Sequence, residues 1–140
     1  MTDVSNPLIS NTLKAAFLEQ LKTASARHSD IEYLSLSTSD GYVLCNTIPQ
    51  DSNIDASRLA AMSASFCGIS HGLTEQAEKQ PFEGSLIETG NGLLVCRQIQ
   101  HGRHEVVLLG VFSPSTTHGV ALWALNNVAR ETLAILTHYN

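Results

Sequence analysis

The chain has 140 residues, 43% apolar and 15% charged, with a formal net charge of −5. That length suits one domain with a continuous hydrophobic core, and that composition excludes the low-hydrophobicity, high-charge signature of disorder. The eight Lys and Arg residues are scattered with no basic run, which argues against a nucleic-acid partner, and no stretch approaches the roughly 20 apolar residues of a membrane span.

In chain order, a first helix is expected from about Asn11 to Arg27, because Leu13, Phe17, Leu21 and Ala24 recur on one helical face. Ser10 or Asn11 supplies its cap. Pro7 lies upstream, where its missing donor does no harm, and Arg27 and His28 sit near the negative end of the helix dipole. Two strands follow, about Ile31–Ser37 and Gly41–Ile48, joined by Asp40-Gly41, a strong hairpin signal. Pro49 closes the second.

A long middle helix, capped by Asp55, is expected to continue to about Lys79, roughly 37 Å at ~1.5 Å per residue. Leu59, Met62, Phe66, Ile69 and Leu73 recur at three- and four-residue steps, a heptad-like seam. Beside it runs a row of small residues: Ala61, Ala64, Gly68 and Gly72, with Ala60 and Cys67 adjoining. Interior Gly costs ~1 kcal/mol relative to Ala, so two glycines in one helix mark either close backbone approach or a bend, and close approach is the expectation.

Pro81 blocks further helix. Three strands then read out, about Gly84–Glu88, Leu93–Ile99 and Glu105–Phe112, joined by short Gly-rich turns into an antiparallel meander. Leu93–Cys96 and Val106–Leu109 show no polar alternation, so they belong in a sheet covered on both faces. A last helix, about His118–Thr137, turns Ala121, Leu125, Val128, Leu133 and Leu136 inward. The result is an α/β chain of the α+β type, in the order α-β-β-α-β-β-β-α. It reads as one domain over residues 1–140, with its core at about 8–138.

Little in the sequence points to chemistry. Met1–Asn6 has neither the basic nor the apolar region of a signal peptide. Cys45, Cys67 and Cys96 form no CxxC pair, so they read as reduced, buried thiols in a cytoplasmic protein. Cys67 and His71, four residues apart, have the spacing of two metal ligands, yet no second such pair accompanies them, and they read as a core cysteine and an edge histidine. His101 and His104 flank a turn and read as solvated. There is no Gly-x-Ser-x-Gly elbow, no phosphate-binding loop and no dinucleotide fingerprint. No catalytic residue, cofactor or metal is expected. Trp123 falls off the inner stripe of the last helix. Large aromatics are enriched at contact hot spots and are also highly buried on average, so both readings stay open.

Three segments, in order, resemble the Roadblock (dynein light-chain) family. They are the hairpin Leu36–Leu44 around Asp40-Gly41, the small-residue helix start Ile54–Ala64, and the strand pair Ser85–Val95 with its Ile87-Glu88 and Gly92-Leu93-Leu94-Val95. The resemblance implies a five-stranded antiparallel sheet in spatial order 2-1-5-4-3 with profilin-like layering, the first and last helices on one face and the middle helix on the other. It further implies a homodimer, made by pairing third strands edge to edge and packing middle helices together. Small Ras-like GTPases are the partners it implies for bacterial members.

A third strand at such an edge is guarded only by Pro81, Glu83 and Glu88, whereas natural edges usually carry Lys, Pro or bulges. The expected protein interface is therefore Leu59, Met62, Phe66, Ile69 and Leu73 with Ser85, Leu86 and Ile87. The leading expectation is a non-catalytic, homodimeric regulator or adaptor, partner of a small Ras-like GTPase. The alternative is a small-molecule sensor of profilin-like or PAS-like type, for which short loops leave little room.

Overall fold

Ser10 opens the first helix, its Oγ accepting from the Leu13 amide at 3.2 Å, as short polar caps do. The computed structural model describes residues 10–139, so Met1–Asn6, Pro7 and residues 8 and 9 of the expected core lie outside the described residues. Helix α1 spans Asn11–Arg27, followed by strands β1 (Ile31–Thr38) and β2 (Val43–Asn46) and helix α2 (Ala56–Gln76). Strands β3 (Gly84–Thr89), β4 (Gly92–His101) and β5 (His104–Phe112) come next, then helix α3 (His118–Tyr139). The strands form one antiparallel sheet in the order β2-β1-β5-β4-β3. Order and topology are those the sequence and its resemblance imply.

Boundaries differ where local hydrogen bonding overrides the pattern. β2 starts at Val43, not Gly41, because the turn consumes two more residues. Gly41 takes φ 98°, the Thr38 amide donates to the Tyr42 carbonyl at 2.8 Å, and the Tyr42 amide donates to Thr38 Oγ1 at 3.0 Å. β4 and β5 run longer than expected, since His101 pairs directly with His104 across a two-residue turn. α2 ends at Gln76 rather than Lys79. Glu78 turns left-handed at φ 59°, its amide donates to the Glu75 carbonyl at 3.1 Å, and the Lys79 amide donates to the Thr74 carbonyl at 2.9 Å. Those two bonds make a Schellman stop, here without the usual glycine.

Strand β5 shows why the central strands lack polar alternation. Val106, Leu108 and Phe112 face Phe17 and Leu21 of α1 and Leu125, Val128 and Leu136 of α3 in one buried cluster. Val107, Leu109 and Val111 face the other way, toward Cys67, Leu59 and Phe66 of α2. Successive side chains alternate between two covered faces. At Gly110 a Cβ would fall 2.7 Å from Leu125 Cδ1 and 2.8 Å from the Phe112 ring, so a bare backbone lets α3 lie close on the sheet. Leu133, expected inside, is on the exposed side of α3. The buried place belongs to Thr132, whose Oγ1 donates to Gln20 Oε1 on α1 at 2.9 Å.

Candidate protein-interaction surface

Helix α2 is opened by Asp55, whose Oδ1 accepts from the Arg58 amide at 3.1 Å. What it buries against the sheet is small: Ala60, Ser63, Ala64 and Cys67. What it turns outward is large. Met62 is 63% exposed, Ile69 73% and Leu73 69%. Leu59 and Phe66 sit between, half-buried against the cluster of Val107, Leu109 and Val111. The heptad-like seam therefore splits, two members anchoring the helix and three facing solvent. The close approach expected of Gly68 and Gly72 is made instead by Ala60 and Ala64. A Cβ on either glycine would meet nothing within 4 Å.

Strand β3 lies at the end of the sheet, paired only with β4. Leu86 is half-buried against the α1/α3 cluster. Ser85 and Ile87 alternate onto the opposite face, the α2 side, and Ile87 is exposed. Met62, Ile69, Leu73 and Ile87 thus share the α2 side of the sheet, the start of the helix lying by the β1–β2 turn, where Ala61 meets Gly41. Two residues outside the expected interface stand on the other side of the sheet. Arg97 pairs with Gly84 in register, and its Nε is buried without a hydrogen-bond partner among the described residues. Glu88 reaches His118 at the start of α3, Oε2 to Nε2 at 2.7 Å. The place of Arg97 over Gly84 depends on the β3–β4 register, and the Glu88 contact on where α3 begins.

The remaining candidates do not assemble a reactive site. Cys67 packs into the sheet cluster, whereas His71 stacks on Phe82, with centroids 5.7 Å apart at 13°. Cys96 donates its S–H to Cys67, and that bond, then burial, pushes its pKa far up. Burial alone pushes the Cys45 thiol up to about 12. All three cysteines are free and buried; the hydrogen bond from Cys96 lowers the Cys67 pKa, whereas the raised values of Cys45 and Cys96 leave those two poor nucleophiles. His104 is buried at the head of β5, not solvated as expected, because the tight turn draws it into the strand. Among the described residues no three His, Cys, Asp or Glu side chains converge on a metal site, and no helix is long and apolar enough to cross a membrane. Trp123 is 60% exposed, edge-on to His28 at 5.7 Å. It borders a surface groove of about 470 Å³ between α1 and α3 that Arg27 and Arg130 also line.

Comparison with known proteins agrees with this architecture. The Roadblock/LC7 domain family matches residues 17–108. MglB of Myxococcus xanthus superposes with a TM-score of 0.80 at 17% identity, covering 94% of this chain and 95% of that one. An MglB structure with a tetrameric arrangement gives 0.76 at 16% identity, covering 91% and 92%. A chain of the complex of LokiProfilin1 with rabbit actin gives 0.55 at 14% identity, covering 91% and 98%. No curated protein matches the sequence.

Proposed function

Because this chain belongs to the Roadblock/LC7 family, we propose that it is a non-catalytic homodimeric regulator or adaptor that binds a small Ras-like GTPase in the cytoplasm. The observation that carries the proposal is the inverted helix α2, with small residues on the sheet and Met62, Ile69 and Leu73 in solvent. An ordinary surface helix does the reverse, burying its large residues. In the proposed dimer, the backbone of Ser85, Leu86 and Ile87 pairs with its copy, and the α2 helices pack across the same two-fold axis. Met62, Ile69 and Leu73 are the side chains covered; Leu59 and Phe66 hold the helix in place. Each large side chain gains roughly 1.5–3 kcal/mol on full burial. Association costs an estimated 4–15 kcal/mol in lost freedom, so six such side chains and the strand pairing act together.

Family membership supports the GTPase half of the proposal. Sedimentation at tens of micromolar should give a dimer, and Ile69→Glu should give a monomer with unchanged far-UV circular dichroism. A monomeric wild-type chain would overturn the dimer. For the partner, Ras-like GTPases encoded in the same genome are titrated while loaded with GDP or a non-hydrolysable GTP analogue. Binding that depends on the nucleotide is expected; no binding to any of them would sink that half.

A further inference from the structure

We infer that Glu88 of each subunit pairs with Arg97 of the partner subunit across the β3–β3 seam, fixing the strand register with Leu86 on the two-fold axis. The inference rests on the homodimer proposed above and adds what selects its register.

Arg97 alternates with Val95 and Ile99, both in the α1/α3 cluster, so it stands on that face of the sheet. A Cβ on Gly84, its partner in register, would fall 2.8 Å from Arg97 Cδ and 3.5 Å from Nη1. The side chain therefore leaves β4, lies across Gly84 on β3, and brings its guanidinium toward the open edge. Its Nε is buried and unpartnered, a state native structures rarely leave uncompensated. Glu83 and the like-charged Arg130 line the same groove, and Glu83 forms no ion pair with Arg97 among the described residues.

Glu88 stands on this same face, two residues from Leu86 and four from Gly84. Its side chain is 69% exposed even while it contacts His118. In a two-fold antiparallel pair, directly opposite residues share a face, so the axis passes through a residue and not between two. With Leu86 on the axis, Gly84 faces Glu88 and Ser85 faces Ile87. Opposite residues lie about 4.5–5.5 Å apart, which sets each Glu88 carboxylate beside the guanidinium lying over Gly84. A carboxylate matches the planar guanidinium donors. With Ser85 on the axis, Gly84 would instead face Leu86. With Ile87 there, Glu88 would face Leu86. Neither brings an acid to Arg97.

Charge reversal tests the pair. Glu88→Arg and Arg97→Glu should each raise the dimer dissociation constant about tenfold or more, and the double variant should return it toward the wild-type value. His118→Ala should leave the constant unchanged. Where a reversal changes the far-UV circular dichroism, Glu88→Gln and Arg97→Gln replace it, each expected to weaken the dimer. Register is read separately by mild oxidation of single-cysteine additions. Leu86→Cys should cross-link to its own copy, and Ser85→Cys and Ile87→Cys should not. A monomeric wild type would overturn the homodimer itself. A stable dimer indifferent to both reversals, or one self-linked through Ile87→Cys, would overturn this inference and leave the homodimer standing.

Discussion

Glu78 ends helix α2 with a left-handed backbone that an L-residue adopts at a cost of about 1–2 kcal/mol. Glycine removes that cost and returns about 0.4–1 kcal/mol of it through greater freedom in the unfolded chain. Glu78→Gly should therefore raise stability by about 0.5–1 kcal/mol, read as a higher urea midpoint at unchanged slope. A lower midpoint would mean that the Glu78 side chain contributes in its own right. The same residue explains why the end of α2 was misplaced by three residues. Helix stops announce themselves by Gly and Pro, and a glutamate in the left-handed region announces nothing. His104 was illegible for a related reason. Only the two-residue turn makes it the first residue of a strand. Trp123, left open by the sequence, is resolved as exposed.

Elements were legible where one apolar stripe decided the matter. α1 falls as expected, on Leu13, Phe17, Leu21 and Ala24, and the doubly apolar strands lie between two layers. α2 was legible as a helix and misleading as a surface. Apolar periodicity marks large and small residues alike, and it cannot say which of two adjoining stripes faces the sheet. Phe66 illustrates the consequence. It belongs to the expected interface, yet it is partly packed in the core cluster, so charging it would disturb the fold as well as the surface. Ile69 is the cleaner probe. Packing between α3 and β5 has its own test at Gly110, where an added side chain meets Leu125 and the Phe112 ring. Gly110→Val suits a strand but overpacks this contact. It should cost about 1–3 kcal/mol, measured by urea unfolding, and a neutral result would mean that α3 moves aside easily.

At the scale of the whole molecule, the sequence pattern yields strands and not their neighbours. β1 and β5 lie side by side, with Ser35 opposite Leu109, although β2, α2, β3 and β4 come between them in the chain. The 2-1-5-4-3 order was legible only through family resemblance. Arg97 stayed hidden for the same reason, and Glu88 read only as an edge charge, since their neighbours depend on how the strands and α3 pack. The proposed assembly has a thermodynamic signature. A dimer that dissociates on unfolding melts at a temperature that rises with concentration. Each tenfold increase is worth about 1.4 kcal/mol, which corresponds to a rise of about 2–4 °C. The wild-type chain should show that slope in calorimetry and the Ile69→Glu variant should not. A concentration-independent melting point for both would count against the dimer.

The inward small residues of α2 have an evolutionary consequence. Ala60, Ala64 and Cys67 keep the helix on the sheet, while Met62, Ile69 and Leu73 make no part of either buried cluster. Substitutions at those three outer positions leave the core's packing untouched. Selection can therefore rewrite which surface this helix recognises without first having to preserve foldedness through the same residues. Duplicated copies of such a gene are free to diverge in pairing, self against self or self against paralogue, on an unchanged scaffold.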